Sequence, residues 1–139
     1  AATLVHASVL KPLEEYVIDA EGARENLLSL PTPVLFHGHT HVPAYWALRG
    51  GQATSVVIDS RVQPLLSPSL INVGSVGQPR DGDVRASWVL WDRSDDGSGI
   101  GALGTVQWRR VHYDIARTQS GVRAAGLPEF LAERLAAGH

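Results

Sequence analysis

The 139-residue chain has no cysteine and no methionine. Without cysteine there are no disulfides and no thiolate metal sites, so any metal must be held by nitrogen and oxygen, and a reducing compartment fits. No apolar run is long enough to span a bilayer, and no charged leader precedes an apolar signal core, so the expectation is a cytoplasmic protein with no membrane association. Charge of one sign is also scarce. The formal net charge is −2 and no long basic run occurs, which leaves no evident nucleic-acid surface. No initiator methionine stands before Thr3-Leu4-Val5-His6-Ala7-Ser8, which already has the composition of a strand, so the sequence is expected to open in the middle of a fold.

What is present suffices for one core. Apolar residues make up 44% and charged residues 19%, a balance that disfavours disorder and fits one domain or part of one over residues 1–139. The densest chemistry lies in His37-Gly38-His39-Thr40-His41-Val42-Pro43, which holds three of the six histidines in five residues. Neutral imidazole is the commonest metal-ligating side chain, and a residue without Cβ lets backbone approach an ion closely. The apolar run Pro33-Val34-Leu35-Phe36 before it predicts a short buried strand, and Pro43 ends regular pairing.

Between the two strand candidates, Asp19 is placed to cap a helix carrying Ala20, Ala23, Leu27 and Leu30 on one stripe, stopped by Pro31. Strand, helix and strand make a β-α-β unit, in which a crossover leaves the two strands parallel and their carboxyl ends at one sheet edge. His6 is thereby expected to meet His39 and His41. His37 is expected to face away or to support the other histidines. His39 and His41 project together if the chain is extended and splay if it turns at Thr40; the splayed arrangement suits two ions roughly 3.5–4 Å apart.

After Pro43 the pattern becomes mostly antiparallel β, with candidates at Tyr45–Leu48, Thr54–Ile58, Ser69–Val73, Ala86–Trp91 and Thr105–Tyr113. The clearest alternation sets Val106, Trp108 and Arg110 against Gln107, Arg109 and Val111, and Asp95 to Gly99 forms a turn. Asp114 is placed to cap a helix through Ile115, Val122 and Ala125 ending at Gly126. Pro128 opens a last helix with Phe130, Leu131 and Leu135 on one face. The stretch Ser69 to Asp83 is a strand running into a glycine-rich loop, where Gly74 and Gly77 allow backbone N–H groups to approach an anion and Arg80 supplies a forked donor for phosphate. Asp81 and Asp83 have the composition of turn formers.

Gly38-His39-Thr40-His41, preceded by His6-Ala7-Ser8 and followed by Asn72-Val73-Gly74-Ser75-Val76-Gly77-Gln78-Pro79-Arg80, resembles the C-terminal half of a calcineurin-like metallophosphoesterase over roughly Leu4 to Trp91. The resemblance implies an α/β (α+β) fold, the C-terminal half of a β-sandwich flanked by helices with a mixed sheet. It further implies phosphoester hydrolysis through a dinuclear metal centre and metal-activated water, with His6 and His39 on one ion and His41 on the other. Ala7 stands where many members have glycine. The family's earlier motifs, Asp-x-His, Gly-Asp-x-x-Asp and Gly-Asn-His, occur nowhere in these residues. The expectation is therefore a C-terminal portion of a longer enzyme, with the catalytic acid and bridging carboxylate in a missing N-terminal half that is also its first partner. The two divalent ions would be Mn, Fe, Zn or Ni, and the substrate a phosphomonoester or phosphodiester. An unpaired strand near Leu4 to Ser8 predicts self-association into a homo-oligomer. Two other readings compete: a noncatalytic phosphoesterase-like binding module, and a cupin-like barrel, which also uses His-x-His but wants a glutamate that Val42 to Leu48 does not contain.

Overall fold

The computed structural model describes residues 1–93 and 103–139. Its strands are β1 (Thr3–Leu4), β2 (Val34–His37), β3 (Ala44–Arg49), β4 (Gln52–Ser55), β5 (Gln63–Pro64), β6 (Ser69–Asn72), β7 (Ala86–Asp92) and β8 (Thr105–Val111). Its helices are α1 (Ala20–Leu28), α2 (Ile115–Ala124) and α3 (Glu129–Glu133), followed by a 3-10 turn over Arg134–Ala136. The turn expected at Asp95 to Gly99 lies outside the described residues.

Strands β1, β2, β6, β3 and β4 form one sheet in that order, and β5, β8 and β7 form a second. The larger sheet is mixed: β1 and β6 both run parallel to β2, while β3 is antiparallel to β6 and β4. The period-two alternation of strands explains the layering. Val34, Phe36, Tyr45, Ala47 and Ile71 point one way and pack with Leu65, Val106 and Trp108 of the smaller-sheet side. Leu35 and Leu70 point the other way, onto Val17 and the Ala23 and Leu27 face of α1. The result is two packed sheets with α1 on the outer face of the larger one, the flanked mixed-sheet α+β architecture expected from the sequence.

Helix α1 begins as expected, with the Asp19 carboxylate accepting from Gly22 N at 2.9 Å. Its apolar stripe is narrower than predicted: Ala23 and Leu27 are buried, Ala20 is exposed, and the helix ends at Leu28 before reaching Pro31. A buried Asn26 completes that face. Its Oδ1 accepts from Val9 N at 2.9 Å and its Nδ2 donates to Glu15 at 3.0 Å, tying the β1–α1 loop to the helix.

Several boundaries depart from expectation for local reasons. The strand predicted over Thr3–Ser8 stops at Leu4, because the chain turns where Ala7 N bonds Pro12 O and Ser8 Oγ accepts from Lys11 N. The strand predicted to Ile58 ends at Ser55, and β8 ends at Val111, two residues before Tyr113. Helix α2 is capped by Asp114 but buries none of its own residues. On the last helix Ala132 is buried and Phe130 is 57% exposed, so the apolar face runs through Ala132 and Leu135 instead of Phe130. The later half is also less uniformly antiparallel than expected, since β6 inserts between β2 and β3 and pairs in parallel with the first.

Candidate metal centre

Because β1, β2 and β6 run parallel, their carboxyl ends share one edge, and the loops that leave them carry His6, His39 to His41, and Gly74 to Arg80. In open α/β sheets that edge is where ligands bind. The loops are stitched together by backbone: Gly38 N donates to His6 O at 3.0 Å, Val73 N to His37 O at 3.0 Å, and Arg80 N to His41 O at 3.2 Å.

His6 and His39 meet as anticipated, with ring centroids 4.6 Å apart and planes near perpendicular at 67°. On the other side of His39 lies Tyr16, its ring centroid 4.1 Å away. Tyr16 was not singled out in the sequence, where it is one exposed aromatic among loop residues; only the turn after β1 brings it to His39. His39 and His41 both adopt positive φ, 66° and 62°. The chain is therefore turned here and not extended, with Thr40 N donating to Gly38 O at 2.8 Å. Non-glycine residues in this region carry backbone strain, which concentrates at functional sites.

The ring of His41 accepts its orientation from the glycine-rich loop. Its Nδ1 lies 2.8 Å from Gln78 O. A carbonyl can only accept, so Nδ1 carries the proton and Nε2 presents a lone pair, the arrangement that second-shell carbonyls give metal-ligating histidines. Burial lowers the His41 pKa from its ordinary value, opposed by the Gln78 bond and assisted by Arg80, His39 and Arg134, all of which favour the neutral ring. Arg80 itself donates from Nη2 to Gln78 Oε1 at 2.7 Å, while its buried Nε has no hydrogen-bond partner among the described residues.

His37 takes the supporting role. It is buried, and its Nδ1 sits 2.9 Å from Ala7 O, joining the loop after β1 to the end of β2. Burial depresses its pKa to about 4, so the ring is neutral at physiological pH. Its Nε2 has no partner among the described residues. His112 is exposed beyond the end of β8. Asp83 forms the expected turn by accepting from Arg85 N at 3.0 Å, and in addition pairs with the Arg85 guanidinium; Asp81 pairs with Arg110. A recess of about 510 Å³ is lined by Asp59, Asp83, Arg85 and Arg110 among others, and none of its lining residues is one of these histidines.

The donor type fits a divalent ion of the borderline class: imidazoles, one of them, His41, with its tautomer fixed and its free nitrogen available. The donor number falls short. Among the described residues no three His, Asp or Glu side chains form a group able to hold an ion. The arrangement among the described residues is one of clustered histidines without an acidic side chain beside them to complete such a group.

Comparisons with known proteins bear on the fold. No protein-family profile matches the sequence. The crystal structure of a metallophosphoesterase from Sphaerobacter thermophilus is 40% identical, with a TM-score of 0.83 over 99% of this chain and 55% of its own. A hypothetical protein from Pyrococcus horikoshii OT3 shares the fold at 16% identity, with a TM-score of 0.68 over 99% of this chain and 46% of its own. An uncharacterized protein of Methanocaldococcus jannaschii is 32% identical over 108 residues, 76% of this chain and 39% of its own length. The fold is metallophosphoesterase-like. The chain spans between 39% and 55% of the length of these relatives.

Proposed function

We propose that this chain carries the histidine-bearing, C-terminal part of a dinuclear metallophosphoesterase site. In this reading His6 and His39 serve one ion and His41 the other, and carboxylates from residues outside these 139 complete both. The observation that carries it is the contact between the His6 and His39 rings at 4.6 Å, made by loops from adjacent parallel strand ends, beside a His41 whose Nδ1 is engaged by Gln78 O. The likeness to the Sphaerobacter thermophilus metallophosphoesterase supports it.

When bound, such ions acidify water and polarise phosphoryl oxygens. The chain's own contributions are distinct. His6 and His39 bring two imidazole rings into contact, with centroids 4.6 Å apart, as the nitrogen donors for one ion. The Gln78 carbonyl holds the His41 ring in one tautomer, and the neutral state favoured by burial keeps Nε2 unprotonated. Arg80, anchored through its backbone N–H to His41 O, places a guanidinium beside the same loop for a phosphate oxygen. Imidazole donors suit Zn, Fe or Ni, and the carboxylates outside these residues would admit Mn; the substrate is a phosphomonoester or phosphodiester.

The test uses the whole gene product that contains this chain, assayed with p-nitrophenyl phosphate and bis-p-nitrophenyl phosphate in Mn²⁺. His39→Ala and His41→Ala are each expected to lower turnover by about two orders of magnitude, the upper range for losing a group that orients or binds the metal. Arg80→Ala should lower turnover more than it lowers the melting temperature. Undiminished activity in His41→Ala would refute the assignment, and no turnover by the whole protein would return the fold to a noncatalytic binding role.

A further inference from the structure

The left-handed backbone at His39 and His41 costs free energy. Local bonds offset part of it, since Thr40 N donates to Gly38 O at 2.8 Å across His39. A second restraint comes from across the sheet, at the last residue of β6. Asn72 is completely buried. Its Nδ2 donates to Gly38 O at 2.8 Å and to Thr40 Oγ1 at 2.9 Å, so both amide hydrogens grip the residues on either side of His39. Thr40 extends the grip to His41, since its Oγ1 accepts from Val42 N at 3.1 Å. The other end of the same amide accepts from Gly74 N at 3.0 Å, which ties in the loop bearing Gln78 and Arg80. The backbone of Asn72 is held as well: its carbonyl accepts from Trp108 Nε1 at 3.0 Å, and β6 pairs on both sides there, with His37 and Ala44.

We propose that Asn72 is the positioning residue that holds His39 and His41 in their left-handed conformation and so aims both imidazoles. A buried primary amide suits the task because it offers two donors and an acceptor in one plane. An aspartate of the same shape offers no donor, and would set a carboxylate oxygen against the Gly38 carbonyl. The conformational claim stands on the hydrogen bonds; its consequence for metal affinity rests on the metal reading above.

The experiment compares the 139-residue chain with Asn72→Asp, Thr40→Val and Thr40→Ser. Zn²⁺ is titrated while histidine ring resonances are followed by NMR, and the HN–Hα couplings and Cα shifts of residues 39 and 41 report the backbone. Asn72→Asp is expected to shift both residues out of the left-handed signature and to weaken Zn²⁺ binding about 10- to 100-fold. Thr40→Val, which keeps the shape and loses the hydroxyl, should move both readouts the same way even if Asn72→Asp fails to fold, whereas Thr40→Ser should retain them. A signature and affinity left intact in Asn72→Asp and Thr40→Val, with only the melting temperature lowered, would overturn the proposal by reducing Asn72 to a packing residue. If the whole gene product that contains this chain takes up no Zn²⁺ but the signature still depends on Asn72, the metal reading fails and the positioning role stands.

Discussion

Gly74 shows how tightly single residues are specified around this edge. Its φ is +79°, and a Cβ placed there would lie 2.6 Å from Ser87 Oγ and 2.8 Å from Pro43 Cγ. Gly74→Ala therefore combines backbone strain with overpacking, and should lower stability by about 2 kcal/mol or more. Thermal unfolding checks this, and an unchanged midpoint would contradict it. The sequence marked this glycine as a place where backbone could approach an anion, whereas here it packs against Ser87 and Pro43; His39 and His41 stood out by their density and spacing. The sequence marked His37 only as a supporting residue and Asn72 only as part of a motif, and it did not mark Tyr16. Their significance comes from partners 23 to 34 residues away, as in the Asn72 bond to Gly38 and the Tyr16 contact with His39. An isolated Asn at a strand end carries no local mark of that role.

Among the elements, the join between the two sheets and the loop after Arg80 govern how the site edge is held. Trp108 on β8 buries its ring against Tyr45, with centroids 5.8 Å apart, and reaches across to Asn72 O through Nε1. Trp108→Phe keeps most of the packing and removes that donor, so the expected loss is about 1 kcal/mol, read from a denaturant midpoint; no loss would show the bond to be replaceable. The loop is pinned by Asp83, whose carboxylate is held well below the usual range, first by the Arg85 hydrogen bond and further by Arg110. Its folded pKa is depressed, so its contribution is present above the unfolded value of 3.8 and is lost as pH falls through the folded one. Below about pH 4, Asp83→Asn should lose stability less steeply than the unmodified chain; parallel slopes would contradict this. Element identity was legible where periodicity was strong, as in β7, β8 and the core strands. Boundaries were not: β1 ends where loop hydrogen bonds at Ala7 and Ser8 compete with the ladder. The two-residue β5 has no periodicity to read.

For the molecule as a whole, the larger sheet has edges at β1 and β4. Strand β1 is two residues long and Leu4 is 80% exposed, so one flank presents unpaired backbone and an apolar side chain together. Edges of this kind invite pairing with another chain. Sedimentation of the 139-residue chain should show concentration-dependent self-association that Leu4→Lys reduces; a monomer at all concentrations would refute it. The architecture was readable at this scale from one inference, that a β-α-β crossover places His6 and His39 at the same edge. The insertion of β6 between β2 and β3 was not readable, since strand order depends on long-range pairing.

The central claim is that this chain brings nitrogen ligands to a two-ion site whose remaining ligands lie elsewhere. Isothermal titration of the 139-residue chain with Zn²⁺ and Mn²⁺, followed by a phosphoesterase assay on the same sample, tests it most directly. At most two of His6, His39 and His41 serve either ion, fewer than the roughly four ligands a stable site takes, so the account predicts weak binding and negligible turnover. Tight binding of two ions with steady phosphoester hydrolysis would contradict it.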